Sequence, residues 1–277
     1  MTSIMNFVKG LNWSARVGLM IVLFFAFCAA FAPWLAPYGE SEIVGDVWEP
    51  LFGEFVFGTD LVGRDMLSRL IYGARNTIVL ALLTTALSFF TGALMGFLAA
   101  TLGGWVDQLL SRIVDIVISI PTLICALIIV SAVGTSFFVL AIVIGIIYAM
   151  PVYRIARAVA MDIEVMDYVE AARLRGENIW WIMRREILPN AMTPLAAEFG
   201  LRFCFVFLLI SGLSFLGLGL QPPLADWGAM VRSNAEGIAW GFMHPLIPAS
   251  CIALLTIGIN LLVDSLVHKA SGLRDDH

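Results

Sequence analysis

Charge is what this sequence has least of. Asp, Glu, Lys and Arg make up 13% of the 277 residues, roughly half the usual share, while hydrophobic side chains make up 60%. That composition excludes an ordinary soluble domain and requires a chain solvated by lipid over much of its length. A net charge of −5 offers nothing to a polyanion, so nucleic acid is not an expected partner. The four cysteines, Cys28, Cys125, Cys204 and Cys251, each fall in an apolar run without a C-x-x-C, which suits small buried hydrophobes and not disulfides or ligands. The histidines His244, His268 and His277 have no metal-ligand spacing. No G-x-x-x-x-G-K-[ST] is present, so the chain has no P-loop to hold nucleotide phosphates. Gly212-Leu-Ser214-Phe-Leu-Gly217 misses the nucleophile elbow by one residue and reads as small residues at a helix end. No catalytic residue, metal or cofactor is expected.

What the sequence has in abundance is uncharged length. Val17 to Gly39 carries no charge over 23 residues, enough for a first, uncleaved span. Residues 40–75 are a polar, turn-rich excursion in which Asp60 and Asp65 suit Asx-type hydrogen bonding. A second span lies within Thr77–Val106, where Gly92 and Gly96 form a close-packing GxxxG expected to serve internal helix contact. Ile116 to Tyr153 is uncharged for 38 residues, about twice the ~20 needed per crossing, so it holds spans three and four around Gly134-Thr-Ser136, with kinks at Pro121 and Pro151. A fifth span begins near Ala191. A second polar excursion, 218–243, carries Trp227 and Trp240, read as interfacial anchors. His244-Pro245 opens a sixth span that ends near Asp264.

Between spans four and five lies a charged island, Asp167 to Asn190. Val165, Tyr168, Val169 and Ala172 make one apolar stripe at helical spacing, and Ile179, Ile182, Met183 and Ile187 make another. Gly176 follows Arg173 and Arg175, which predicts a helix end in left-handed geometry, and Pro189 is expected to stop the second helix. Two amphipathic pieces at a membrane surface are suited to docking, or to anchoring the chain in the interface.

Glu170-Ala171-Ala172, then Gly176, then Leu188-Pro189 thirteen residues after that glycine, resembles the EAA loop of ABC-importer permeases; Glu186 stands where that family usually has Ile. Gly58-Thr-Asp60 with Gly63-Arg-Asp65 and Ser68-Arg69 resembles a segment of the peptide/nickel branch, in the subunit type with an extracytoplasmic loop after its first span. The resemblance runs from Gly58 to about Asp264. It implies an all-α polytopic membrane protein with six transmembrane helices and the type I ABC importer permease fold. The chain would then divide into 1–75 (lead-in, first span and extracytoplasmic loop) and a five-span core, 76–277, with a cytoplasmic coupling loop at about 159–190. Implied partners are a homologous second permease subunit, two ATP-binding subunits, an extracytoplasmic substrate-binding protein and the lipid bilayer. The implied ATPase-coupling residues are Glu170, Ala171, Ala172, Gly176, Leu188 and Pro189.

Orientation follows from the cations. An N-terminus inside puts Lys9, Arg16, Arg112, Arg154, Arg157, Arg173, Arg175, Arg184, Arg185, Lys269 and Arg274 in the cytoplasm, against Arg64, Arg69, Arg75 and Arg232 outside. The expected location is a bacterial inner membrane with both termini cytoplasmic. Arg112 with Asp115, and Glu198 with Arg202 at i, i+4 in the fifth span, are either structural braces or pathway residues. A secondary transporter or a membrane enzyme remains as an alternative; scarce intramembrane acids and the missing nucleophile–base pair speak against them.

Overall fold

A computed structural model describes residues 12–270, with side chains described through Ser265; every named element among them is helical. The lead-in with Lys9, the tail with Arg274 and the sidedness of both termini lie outside the described residues.

Helix α1 (Trp13–Ala30) does not continue to Gly39 as the uncharged run suggested. Phe31 leaves helical geometry, and a short α2 (Ala32–Leu35) follows with Pro33 in its first turn, where a missing N–H costs nothing. Helix α3 (Met66–Leu102) begins eleven residues before the expected Thr77. Asp65 is its cap, accepting the Ser68 amide at 2.8 Å, so the end of the polar excursion is already helical. At 37 residues, and ~1.5 Å each, α3 is longer than a bilayer is thick.

The third span departs most from expectation. Helix α4 (Gly104–Ile118) carries Asp107, Arg112 and Asp115, and then turns by 87° into α5 (Thr122–Val133). Pro121 cannot donate to the ladder, so the uncharged run from Ile116 is split at Ser119–Pro121 and is not one continuous crossing. Helix α5, at 12 residues, is too short to span alone. Helix α6 (Phe137–Glu164), capped by Ser136, follows and contains Pro151 in its interior. Then come α7 (Asp167–Leu174), α8 (Ile179–Ile182), a π-turn (Met183–Ile187), α9 (Leu188–Phe215), α10 (Trp227–Asn234), a 3-10 turn (Ala235–Trp240) and α11 (Leu246–Ala270). Among the described residues five helices are long and apolar enough to cross a membrane, and six if the bent α4–α5 pair is one span.

The centre of the bundle is the α3–α6 contact, and it needs glycine. A Cβ on Gly92 would lie 2.5 Å from the Ala149 carbonyl, and one on Gly96 would lie 2.8 Å from Tyr153 O and Arg157 N. The GxxxG is therefore an internal contact, as its spacing predicted. The polar excursions fold together into a cap at the opposite end from the charged island. Asp60 pairs with Arg64 at 2.7 Å and Arg69 at 3.3 Å and accepts the amides of Val62 and Arg64, the Asx pattern expected. Trp227 is not an interfacial anchor: it is 1% exposed, packs on Phe25 and Phe207, and donates its indole N–H to Leu70 O at 2.9 Å. An aromatic with one polar atom fits a core wherever a carbonyl is in reach. Trp240 is 74% exposed.

Candidate functional site

The charged island is two helices joined at a left-handed glycine. Gly176 has φ +83°, its N–H bonds Arg173 O at 2.9 Å, and the Glu177 N–H bonds Ala172 O at 3.2 Å. These 5→2 and 6→1 bonds are the Schellman ending that Arg173, Arg175 and Gly176 predicted. Asn178 then caps α8 through the Trp181 amide at 2.9 Å.

Each apolar stripe is divided. Val169, Ala172, Ile182, Met183 and Ile187 are buried in one cluster against Phe97 of α3 and Ala156, Ala160 and Ile163 of α6. The inner half of the stripes thus fixes the island to its own spans and is not available to a partner. The outer face holds Val165, Tyr168, Glu170, Leu174 and Arg175, with Leu174 83% exposed. Glu170 and Ala171 point outward, and Ala172 is small enough to sit against the spans. Arg173 pairs with Glu164, and the Arg175 guanidinium lies 5.7 Å from the Trp181 ring. The Glu170 carboxylate makes no ion pair among the described residues.

Pro189 does not stop the second helix. The π-turn closes with the Leu188 N–H on Met183 O, five residues back, and α9 continues through Pro189 in its first turn. A wide turn places the proline where no N–H is required, so Ile179 to Phe215 runs as one helix of 37 residues. Leu188 lines an open apolar recess of ≈ 730 Å³ with Phe89, Phe97, Trp180, Met183 and Phe199, with Arg184 at its edge.

The ion pairs are arranged differently from their sequence spacing in one case. Asp115 does not pair with Arg112; it accepts from Arg154 of α6 at 2.6 Å, and Arg112 is exposed without an ion pair among the described residues. Two turns earlier on α4, Asp107 receives two nitrogens of Arg157, one of them at 2.6 Å, and Ser111 meets the Tyr153 hydroxyl at 2.9 Å. These α4–α6 braces join residues about 40 to 50 apart, a separation with no sequence signal. Glu198 and Arg202 do pair within α9, with side chains 14% and 13% exposed. At the far end, the buried Asp226 accepts the Thr77 hydroxyl at 2.9 Å and caps α10 through the Ala229 amide at 3.3 Å. Burial raises its carboxyl above the ordinary range.

Residues 92–269 match the family described as the inner membrane component of binding-protein-dependent transport systems, and residues 11–46 match the N-terminal membrane domain of oligopeptide transport permease C. The chain belongs to the binding-protein-dependent transport permeases. Among such permeases, a di/tripeptide transport system permease protein of Pseudomonas aeruginosa is 38% identical over 92% of this chain and 86% of its own length. A probable D,D-dipeptide transport system permease protein of Escherichia coli is 33% identical over 94% of this chain and 87% of its own. The crystal structure of an amino acid ABC transporter, 21% identical, superposes with a TM-score of 0.51 over 74% of this chain and 94% of that one, which supports the permease fold. As a transport permease of this family, the chain is a multi-pass inner-membrane protein.

Proposed function

We propose that this permease is half of the translocation pathway of an ATP-driven importer for short peptides, and that Glu170 to Pro189 couples it to a separate ATPase. The observation that carries the reading is the island's construction: an outward helix, α7, ended by a left-handed glycine and tied through α8 and the π-turn to a membrane-spanning helix without a break. A partner pushing on Leu174 or Glu170 would move α9 with it. Glu170, Ala171, Ala172 and Gly176 form the docking piece in this reading, and Leu188 and Pro189 the start of the lever. The assembly would include a homologous second permease, two ATP-binding subunits and an extracytoplasmic binding protein, with both termini of this chain cytoplasmic. The peptide relatives support the substrate class.

The direct test is a cysteine at Leu174 in a background lacking the four native cysteines. Cross-linking of the whole importer in membranes should join this chain to an ATP-binding subunit, in a yield that changes on adding ATP. Cross-linking only to lipid-facing or unrelated proteins would contradict the docking assignment.

A further inference from the structure

Halfway along α9, the permease holds a guanidinium with donors to spare. Arg202 is fourteen residues after the first residue of α9 and thirteen before the last, ~20 Å from each at 1.5 Å per residue, so it lies at the helix midpoint. Its ion pair with Glu198 runs through one terminal nitrogen, while its Nε–H is buried and has no partner among the described residues. Leaving such a donor unmatched is costly in a low-dielectric setting. Arg202 borders a cavity of ≈ 300 Å³ shared with Tyr148 and Pro151 of α6, Phe205 of α9, and Ile120 and Thr122 at the break between α4 and α5. The Phe205 ring, 5.8 Å from the guanidinium, backs it from one side.

The break also brings the start of α5 to the cavity, at Thr122. The α5 ladder opens with the Cys125 amide on Pro121 O at 3.0 Å, and no side chain caps the helix start. The amides of Thr122, Leu123 and Ile124 thus precede the first intrahelical bond and end the helix dipole at its positive pole. Interrupted membrane helices use such ends to meet anionic groups of a transported solute. A guanidinium suits a carboxylate for its own reason: a planar fork of N–H donors. We propose that this cavity is a transit site for the carboxylate of the transported peptide, held by Arg202 with the open end of α5 opposite. Glu198 tempers the hold, because a fully uncompensated arginine would bind the anion too tightly to release it. The inference rests on the peptide-importer reading above.

The test uses the complete importer reconstituted with its ATPases and binding protein in proteoliposomes, with radiolabelled dialanine as the probe. Absence of uptake by the wild type would remove the peptide reading and this site with it. With wild-type uptake in hand, Glu198→Gln/Arg202→Gln removes both charges and leaves no ion unpaired. Normal accumulation with at least tenfold slower uptake is the expected result. The swapped double, Glu198→Arg/Arg202→Glu, keeps a pair but moves the cation one turn from the cavity. A mere brace would be restored by the swap, whereas a carboxylate site stays impaired. Wild-type uptake by either double variant overturns the proposal. If neither accumulates, Arg202→Lys, which keeps the pair but loses the fork, decides: several-fold weaker uptake at normal accumulation supports the site, and unchanged uptake overturns it.

Discussion

Gly176 sits at φ +83°, where any side chain costs about 1–2 kcal/mol, yet a Cβ there would meet nothing of this chain within 4 Å. The internal cost of Gly176→Ala is therefore conformational alone. A larger loss in the assembled transporter would report a partner pressed against that spot. Asp226 poses the opposite case, a side chain whose every neighbour is internal. Its folded form holds a proton more tightly than the unfolded chain does, because burial disfavours the charge. Its contribution to stability is thus fullest below its unfolded pKa and is lost as pH rises through the folded value. Asp226→Asn removes the charge and keeps an acceptor, so it should flatten that dependence and leave the neutral-pH melting temperature near wild type. Asp226→Ala orphans the Thr77 hydroxyl and the first turn of α10, at about 1–3 kcal/mol. Thermal melts in detergent from acid to neutral pH check this, and identical melts for Asn and Ala would contradict the capping role.

Two helical relationships set the mechanics. Along α3 and α6, backbone meets backbone at Gly92 and Gly96, so Gly96→Leu has no room to repack: Tyr153 O and Arg157 N stand 2.8 Å from its Cβ position. Overpacking of this kind costs about 1–3 kcal/mol or more. The expected outcome is a sharp fall in membrane accumulation, measured by quantitative blotting, while accumulation equal to wild type would mean that α3 and α6 are not packed as described. From α8 into α9 the relationship is continuity. Arg185→Gly with Glu186→Gly places two glycines in the π-turn, each weakening helix by ~1 kcal/mol, and should turn a stiff connection into a compliant one. Insertion and basal ATP hydrolysis should persist with peptide taken up per ATP reduced several-fold; an unchanged ratio would show that stiffness there does not matter.

Much of this was legible in the sequence, for a physical reason: lipid forbids unpaired charge along a span, so charged islands stand out against the spans. The Arg173-Leu-Arg175-Gly176 ending and the Gly92/Gly96 spacing read correctly because each reflects a local backbone need. Pro189 misread because a π-turn five residues long moved it from a helix end to a helix start, and proline looks the same in both places. The kink expected at Pro121 is there, but its size was not legible: uncharged length says nothing of direction, and the 87° bend at Ser119–Pro121 spends that length sideways. Trp227 and the Asp107–Arg157 and Asp115–Arg154 braces were hidden by distance along the chain. Nothing at Asp115 distinguishes Arg154 from the nearer Arg112.

Taken as a whole, the permease is a bundle with a polar cap at one end and the charged island at the other, and its transport role requires these ends to face opposite compartments. In a background lacking the native cysteines, a cysteine replacing Glu49 in the cap should label from outside with an impermeant thiol reagent. One replacing Glu177 should label only after permeabilisation, and the reverse pattern would invert the molecule and remove the island from the ATP side. The measurement closest to the central claim combines transport and hydrolysis in one vesicle. Gly176→Val changes no span, so the variant should insert and assemble, and ATP hydrolysis and peptide uptake are then followed together in proteoliposomes with the ATPases and binding protein. Coupling through Glu170 to Pro189 predicts uptake reduced at least tenfold, with hydrolysis no longer stimulated by peptide-loaded binding protein. Full peptide-stimulated uptake by Gly176→Val would contradict it.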